Sequence, residues 1–136
     1  HTRYPLVTGV QTCALPIFHT VLHYADAVPT AENKAFREAF KAAYGTEADV
    51  YAVQGWDAMQ VLEIGLKAVG GDTSKKAELH AAMAAAKFAS PRGPFEFSAS
   101  RNPKQTFYLR ELKGGQNVLV GTAVEGLADA AKGCKA

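Results

Sequence analysis

The side chains best placed to contact a small molecule are Tyr51, Gln54 and Trp56. They cluster where a short β-like run, Val50-Tyr51-Ala52-Val53, passes through Gln54-Gly55 into a long apolar helix. The carboxyl end of a strand that leads into a helix is the usual ligand-facing position in open α/β sheets. Tyr51 is the first candidate there, with burial for packing as the alternative. Gln54 and Trp56 are second, because the helix can turn them inward. Little else has chemical potential. His19 and His23 share a face if His19 to Tyr24 is a strand, but no third ligand lies near them in sequence, so no metal site is expected. His80, on an Ala-rich helix, is expected to face solvent. Cys134 stands in a loose basic tail with no sequence-near histidine to activate it as a nucleophile. Gly70-Gly71 and Gly114-Gly115 lack the strand–glycine–helix spacing of a phosphate loop. No combination amounts to an active site, so neither an enzyme nor a cofactor is expected.

The stretch from Asp49 to Val69 organises the elements that must position these residues. In its helix Asp57, Gln60, Glu63 and Lys67 are spaced three, three and four, which makes one narrow polar stripe. The rest (Trp56, Met59, Val61, Leu62, Ile64, Leu66 and Val69) is apolar. Such a helix belongs deep in an α/β body, packed on a sheet, yet the sequence offers few strands to build one. Upstream, His19 to Tyr24 alternates like the end of a strand. Thr30 caps a helix over Ala31 to Tyr44 that would bury Ala35, Phe36, Ala39, Phe40 and Ala43 and leave Lys34, Arg37, Glu38 and Lys41 wet; Gly45 ends it. Downstream, Asp72, Thr73 and Ser74 cap a third helix reaching about Lys87, with Leu79, Met83 and Ala86 inward. Ser90 to Pro94 is a tight turn into a strand, Phe95-Glu96-Phe97, and Ser98 to Pro103 is a polar connector. Gln105 to Leu112 and Asn117 to Val124 form a hairpin around Lys113 to Gln116, followed by a weakly structured tail.

The 136 residues suit one domain, and no apolar run reaches the ~20 residues of a membrane span. A formal charge of +2, evenly spread, excludes a nucleic-acid surface. The first seventeen residues, HTRYPLVTGVQTCALPI, carry no period that continues into the rest of the chain. They resemble a translated sequencing-library adapter, and on that reading they lie outside the fold and Cys13 carries no information.

From His19 onward, the phrases LHYAD, ENKAFREAFKAAYG, ADVYAVQGWDAMQVLEIGLKAVGGD, SPRGPFEFS, NPKQTFYLREL and DAAKGCKA occur in order. Together they resemble the C-terminal third of a branched-chain amino-acid-type periplasmic binding protein, the solute-binding subunit of an ABC importer. The resemblance implies an incomplete piece of a type I fold, an α/β architecture of two lobes around a cleft. Residues 18 to 28 would end a second-lobe strand and cross over, 29 to 99 would be first-lobe helices and strands, and 100 to 136 would cross back into a second-lobe hairpin. The central helix would then rest on a sheet beyond this segment, so the segment alone is not expected to be stable or ligand-competent. The resemblance further implies that Tyr51 walls the cleft, and that His23 and Tyr24 lie at a hinge or cleft rim. It implies capture of a small amino-acid-like or related organic solute by lobe closure, delivery to ABC permease membrane subunits, a signal peptide and a periplasmic location. A monomer without nucleic-acid partners is expected when full-length, and the oxidising compartment would allow Cys134 a disulfide partner outside this chain. The alternative is a cytosolic ligand sensor that uses the same two-lobed fold.

Overall fold

The computed structural model describes residues 19–114 and 116–132. The Cys134 and adapter readings fall outside them. Thr30 begins the first helix, α1 (Ala31–Tyr44): its backbone is extended and its Oγ1 accepts from the Asn33 N–H at 3.2 Å. Gly45 ends it in the left-handed region, with φ of 72°, donating to the Lys41 carbonyl. The face expected to be buried is largely open here. Phe36 and Phe40 are half-buried, whereas Ala35, Ala39 and Ala43 are exposed. The buried residue of α1 is polar. Asn33 donates through Nδ2 to the carbonyls of Asp26 and Val28 and accepts from the Tyr24 hydroxyl at 2.9 Å. Arg37, expected to be wet, instead reaches back to Asp26, Glu47 and the Ala48 carbonyl.

The second helix, α2, spans Val50–Ala68. The strand expected over Val50 to Val53 is therefore absent, and Tyr51 sits in the first helical turn. Asp49 explains the difference: its side chain accepts from the Ala52 N–H at 2.9 Å, so a cap starts the helix there despite the β-branched valines. The buried stripe of α2 is Val53, Asp57, Val61 and Gly65, spaced by four along one face. Asp57 thus leaves the wet stripe assigned to it and lies in the core at 2% exposure. A third helix, α3 (Lys76–Ala84), is shorter than expected. Asp72 folds the preceding turn by accepting from the Ser74 N–H and hydroxyl, rather than capping the helix itself. α3 packs against α2 at Gly65, where an added Cβ would lie 2.5 Å from Met83 Cγ.

The Ala-rich run concealed a strand. β2 (Lys87–Ser90) pairs antiparallel with β3 (Gly93–Glu96), turning through Pro91-Arg92. A second sheet has the order β1 (His19–Leu22), β4 (Gln105–Lys113), β5 (Gln116–Leu127), all antiparallel neighbours. The expected hairpin is β4–β5, with its second strand longer than expected. Two apolar clusters result: Ala25, Val28 and Tyr108 beneath this sheet, and Val61, Ala86 and Phe95 between α2 and the small hairpin. A run of ring contacts, Phe40–Phe36–Trp56–Phe88–Phe95–Phe97, joins α1, α2 and β2–β3 at centroid separations of 4.5 to 6.2 Å. Among the described residues no helix is long and apolar enough to cross a membrane.

Candidate functional site

The candidate site lies where the end of β1 meets the start of α2. His23 directly follows β1, and its ring lies edge-on to Phe107 of β4 at 6.4 Å. Its Nε2 is 3.1 Å from Nε2 of Gln54, 31 residues along the chain. Gln54 is on the exposed side of α2, one helical turn after Tyr51, and Tyr51 is 75% exposed. Tyr51, Gln54 and His23 therefore occupy one accessible end of the helix. The other two sequence candidates are placed in packing. Trp56 stands between Phe36 and Phe88, both edge-on, and Tyr24 is buried at 1% exposure with its hydroxyl on Asn33.

Beneath this end runs a polar tie that sequence reasoning missed. Arg92, in the β2–β3 turn, donates from Nε to Asp57 Oδ2 at 2.6 Å, and both side chains are almost fully buried. The Tyr108 hydroxyl donates to the Arg92 carbonyl at 2.8 Å, so one turn residue fastens the hairpin to α2 and to β4. The signal for Asp57 was its spacing, four after Val53 and four before Val61 on the buried stripe. Burial raises the Asp57 carboxyl above its ordinary pKa, against the opposing pull of Ser90 and Arg92. Its Oδ1 has no hydrogen-bond partner among the described residues. At the connector leading into β4, Lys104 and Lys87 both pair with Glu96 and hold its carboxyl down to about 2.

His23 is pushed the other way from a paired histidine. Burial lowers its pKa, and the nearby Arg92 and Arg110 charges lower it further, so the surroundings favour the neutral ring. Arg110 donates to Thr20 Oγ1 at 3.1 Å and to the Tyr24 carbonyl at 3.3 Å, with no carboxylate partner among the described residues. An imidazole, an amide and a phenol beside an unneutralised guanidinium can hold the polar or anionic end of a small molecule. They contain no nucleophile–base pair, and the described residues include no group of three His, Cys, Asp or Glu that could hold a metal ion.

Known proteins give this end of the molecule a context. A family model described as periplasmic binding protein matches residues 8–117. A solute-binding protein of an ABC transporter from R. palustris, solved in complex with benzoate, is 57% identical, with a TM-score of 0.86 over 96% of this chain and 36% of that one. Another, from Rhodopseudomonas palustris BisB5 in complex with 3,4-dihydroxy benzoic acid, is 29% identical, with a TM-score of 0.74 over 88% of this chain and 36% of its own. A leucine-binding protein from Thermotoga maritima, 18% identical with a TM-score of 0.68 over 87% of this chain and 34% of that one, shares the fold. None of the curated proteins matches the chain. The chain spans about a third of the length of these solved structures. The matched relatives are solute-binding proteins. By the extent of the family match and by its likeness to these structures, the chain belongs to the periplasmic binding protein family, as part of its type I, two-lobed α/β fold.

Proposed function

We propose that this chain contributes to the solute-binding component of an ABC importer, and that its solute is an aromatic carboxylate of the benzoate class. The observation that carries the reading is the benzoate-bound structure, 57% identical over nearly the whole chain. More distant relatives were solved with hydroxylated benzoates, which narrows the amino-acid-like solute expected from sequence. In this reading residues 29 to 99 belong to one lobe, while the flanking segments that form the β1–β4–β5 sheet belong to the other. The solute lies in the cleft between them and is captured by lobe closure. The open faces of α1 and α2, including Ala35, Ala39 and Met59, are then the surface on which the rest of that lobe packs. The complete protein works in the periplasm as a monomer and delivers its solute to membrane permease subunits.

Tyr51 is the proposed wall residue, its exposed ring available to face the aromatic solute. In the full-length protein, Tyr51→Ala should weaken benzoate binding by about 1–3 kcal/mol without loss of fold. Tyr51→Phe separates a ring wall from a hydroxyl contact: near-normal affinity means the former, and a loss of about 1 kcal/mol the latter. Calorimetric titrations with benzoate, 4-hydroxybenzoate and leucine, with melting curves as control, test both claims. Binding of leucine but of neither aromatic acid would reject the solute class. Unchanged affinity in a folded Tyr51→Ala variant would remove Tyr51 from the site.

A further inference from the structure

The contact between His23 and Gln54 has a chemical constraint. Two nitrogens meet at 3.1 Å, so one must donate and the other accept. The amide nitrogen of Gln54 has no free lone pair to offer, so it donates and His23 Nε2 accepts, with the ring proton on Nδ1. A doubly protonated ring would set an N–H against this amide N–H. The charges acting on it among the described residues, Arg92 and Arg110, both oppose that form. From β4 the ring meets Phe107 and the Arg110 charge, from the β2–β3 turn the Arg92 charge, and from α2 Gln54. The carboxylates in this region are committed, Asp57 to Arg92, Asp26 to Arg37 and Asp49 to the Ala52 N–H that starts α2. Among the described residues, the arrangement therefore has hydrogen-bond donors and positive charge but no uncommitted anion.

We propose that the carboxylate of the solute enters between Gln54 and His23, and that His23 takes up a proton as it binds. This rests on the aromatic-acid reading above. One carboxylate oxygen accepts the Gln54 amide N–H, which leaves His23 Nε2 free to be protonated and to donate to the other oxygen. One solute anion and one proton from solvent enter together, so the charge of the site is unchanged. The lowered pKa of free His23 is consistent with this, because the surroundings disfavour the proton until the anion arrives. The benzoate ring then lies toward Tyr51, one turn back on the helix.

The test is calorimetric titration of the full-length protein with benzoate near pH ~7.5, in phosphate and in Tris, whose ionisation enthalpies differ. The wild type should take up a substantial fraction of one proton per benzoate, and its affinity should rise as pH falls toward 6.5, the ordinary value of histidine. His23→Gln should abolish the uptake, flatten the pH profile, and weaken binding by roughly ten- to a hundredfold. The wild-type uptake and an NMR titration of the His23 ring, free and with benzoate, read the same linkage without relying on a variant. Benzoate binding without proton uptake, or uptake that persists in His23→Gln, overturns this inference and leaves the solute class standing. Failure of every aromatic acid to bind overturns both.

Discussion

Asp57→Ala is expected to remove about 3–5 kcal/mol of folding stability, a large share of the ~5–15 kcal/mol that holds a typical domain together. The reason lies in what remains. Arg92 keeps its charge in a site where both partners are almost inaccessible to water, and its Nε loses the carboxylate 2.6 Å away. The β2–β3 turn is fixed to α2 through this pair and to β4 through the Tyr108 hydroxyl, so the loss falls on both sheets at once. The pair itself is not the source of net stability. Asp57 Oδ1 has no partner among the described residues, and the burial that raises the carboxyl pKa is a cost of ionising it there. Replacing both residues together, as Asp57→Leu with Arg92→Met, should therefore recover most of the single-variant loss. Denaturant unfolding of the full-length protein, run as a double-mutant cycle, gives the answer. A single-variant loss below ~1 kcal/mol would mean that the tie does not hold the hairpin.

Gly65→Val is the second change with a large expected effect, a loss of about 1–3 kcal/mol from overpacking. The position is helical and needs no unusual backbone; what it needs is space. A Cβ there would approach Met83 Cγ to 2.5 Å and Leu79 Cδ1 to 2.9 Å, so α3 must shift away from α2. Gly65→Ala should cost less, because the better helix former returns up to ~1 kcal/mol against the same crowding. Trimming the obstacle is the control: in a Met83→Ala background the Gly65→Val penalty should shrink. If the penalty is the same in both backgrounds, measured by thermal melts, close approach of the two helices is not its cause.

The sequence was most legible where a single residue decides the structure. Thr30 and Gly45 bracket α1 because a hydroxyl acceptor and a left-handed backbone act locally. The β4–β5 turn was legible for the same reason. Where two local signals compete, reading was harder. Val50 and Val53 favour a strand, and the Asp49 cap prevails over them; Lys87 to Ser90 follows an alanine run and pairs only because β3 lies opposite. Asp57 was misread because a carboxylate spaced with Gln60 and Glu63 looks solvated, until Arg92, 35 residues on, supplies its counter-charge. The site divides in the same way. Tyr51 and Gln54 were singled out as lying at the end of a strand, whereas both lie in the first turns of α2; the contact of Gln54 with His23 depends on tertiary structure and leaves no mark in local sequence.

The order β1–β4–β5 also has a kinetic meaning. β4 and β5 follow one another, with Lys113 opposite Gln116, and can pair as a local hairpin, whereas Leu22 finds its partner Tyr108 only 86 residues later. The helices α1, α2 and α3 and the small β2–β3 hairpin are thus enclosed in a loop that β1 must close. The entropy of closing a loop grows only with the logarithm of its length, so the size of this insert is a modest burden. The return is modest as well, since β1 offers four described residues to the ladder. That strand is therefore the last seam of the sheet to form and the first to open, making the His19–Leu22 amides the fast-exchanging ones in hydrogen exchange, ahead of those in β4. Equal protection of β1 and β4 would mean that host sheet and inserted helices fold as a single cooperative unit. Otherwise the chain behaves as a hairpin onto which a helical insert is buttoned late, by one short strand.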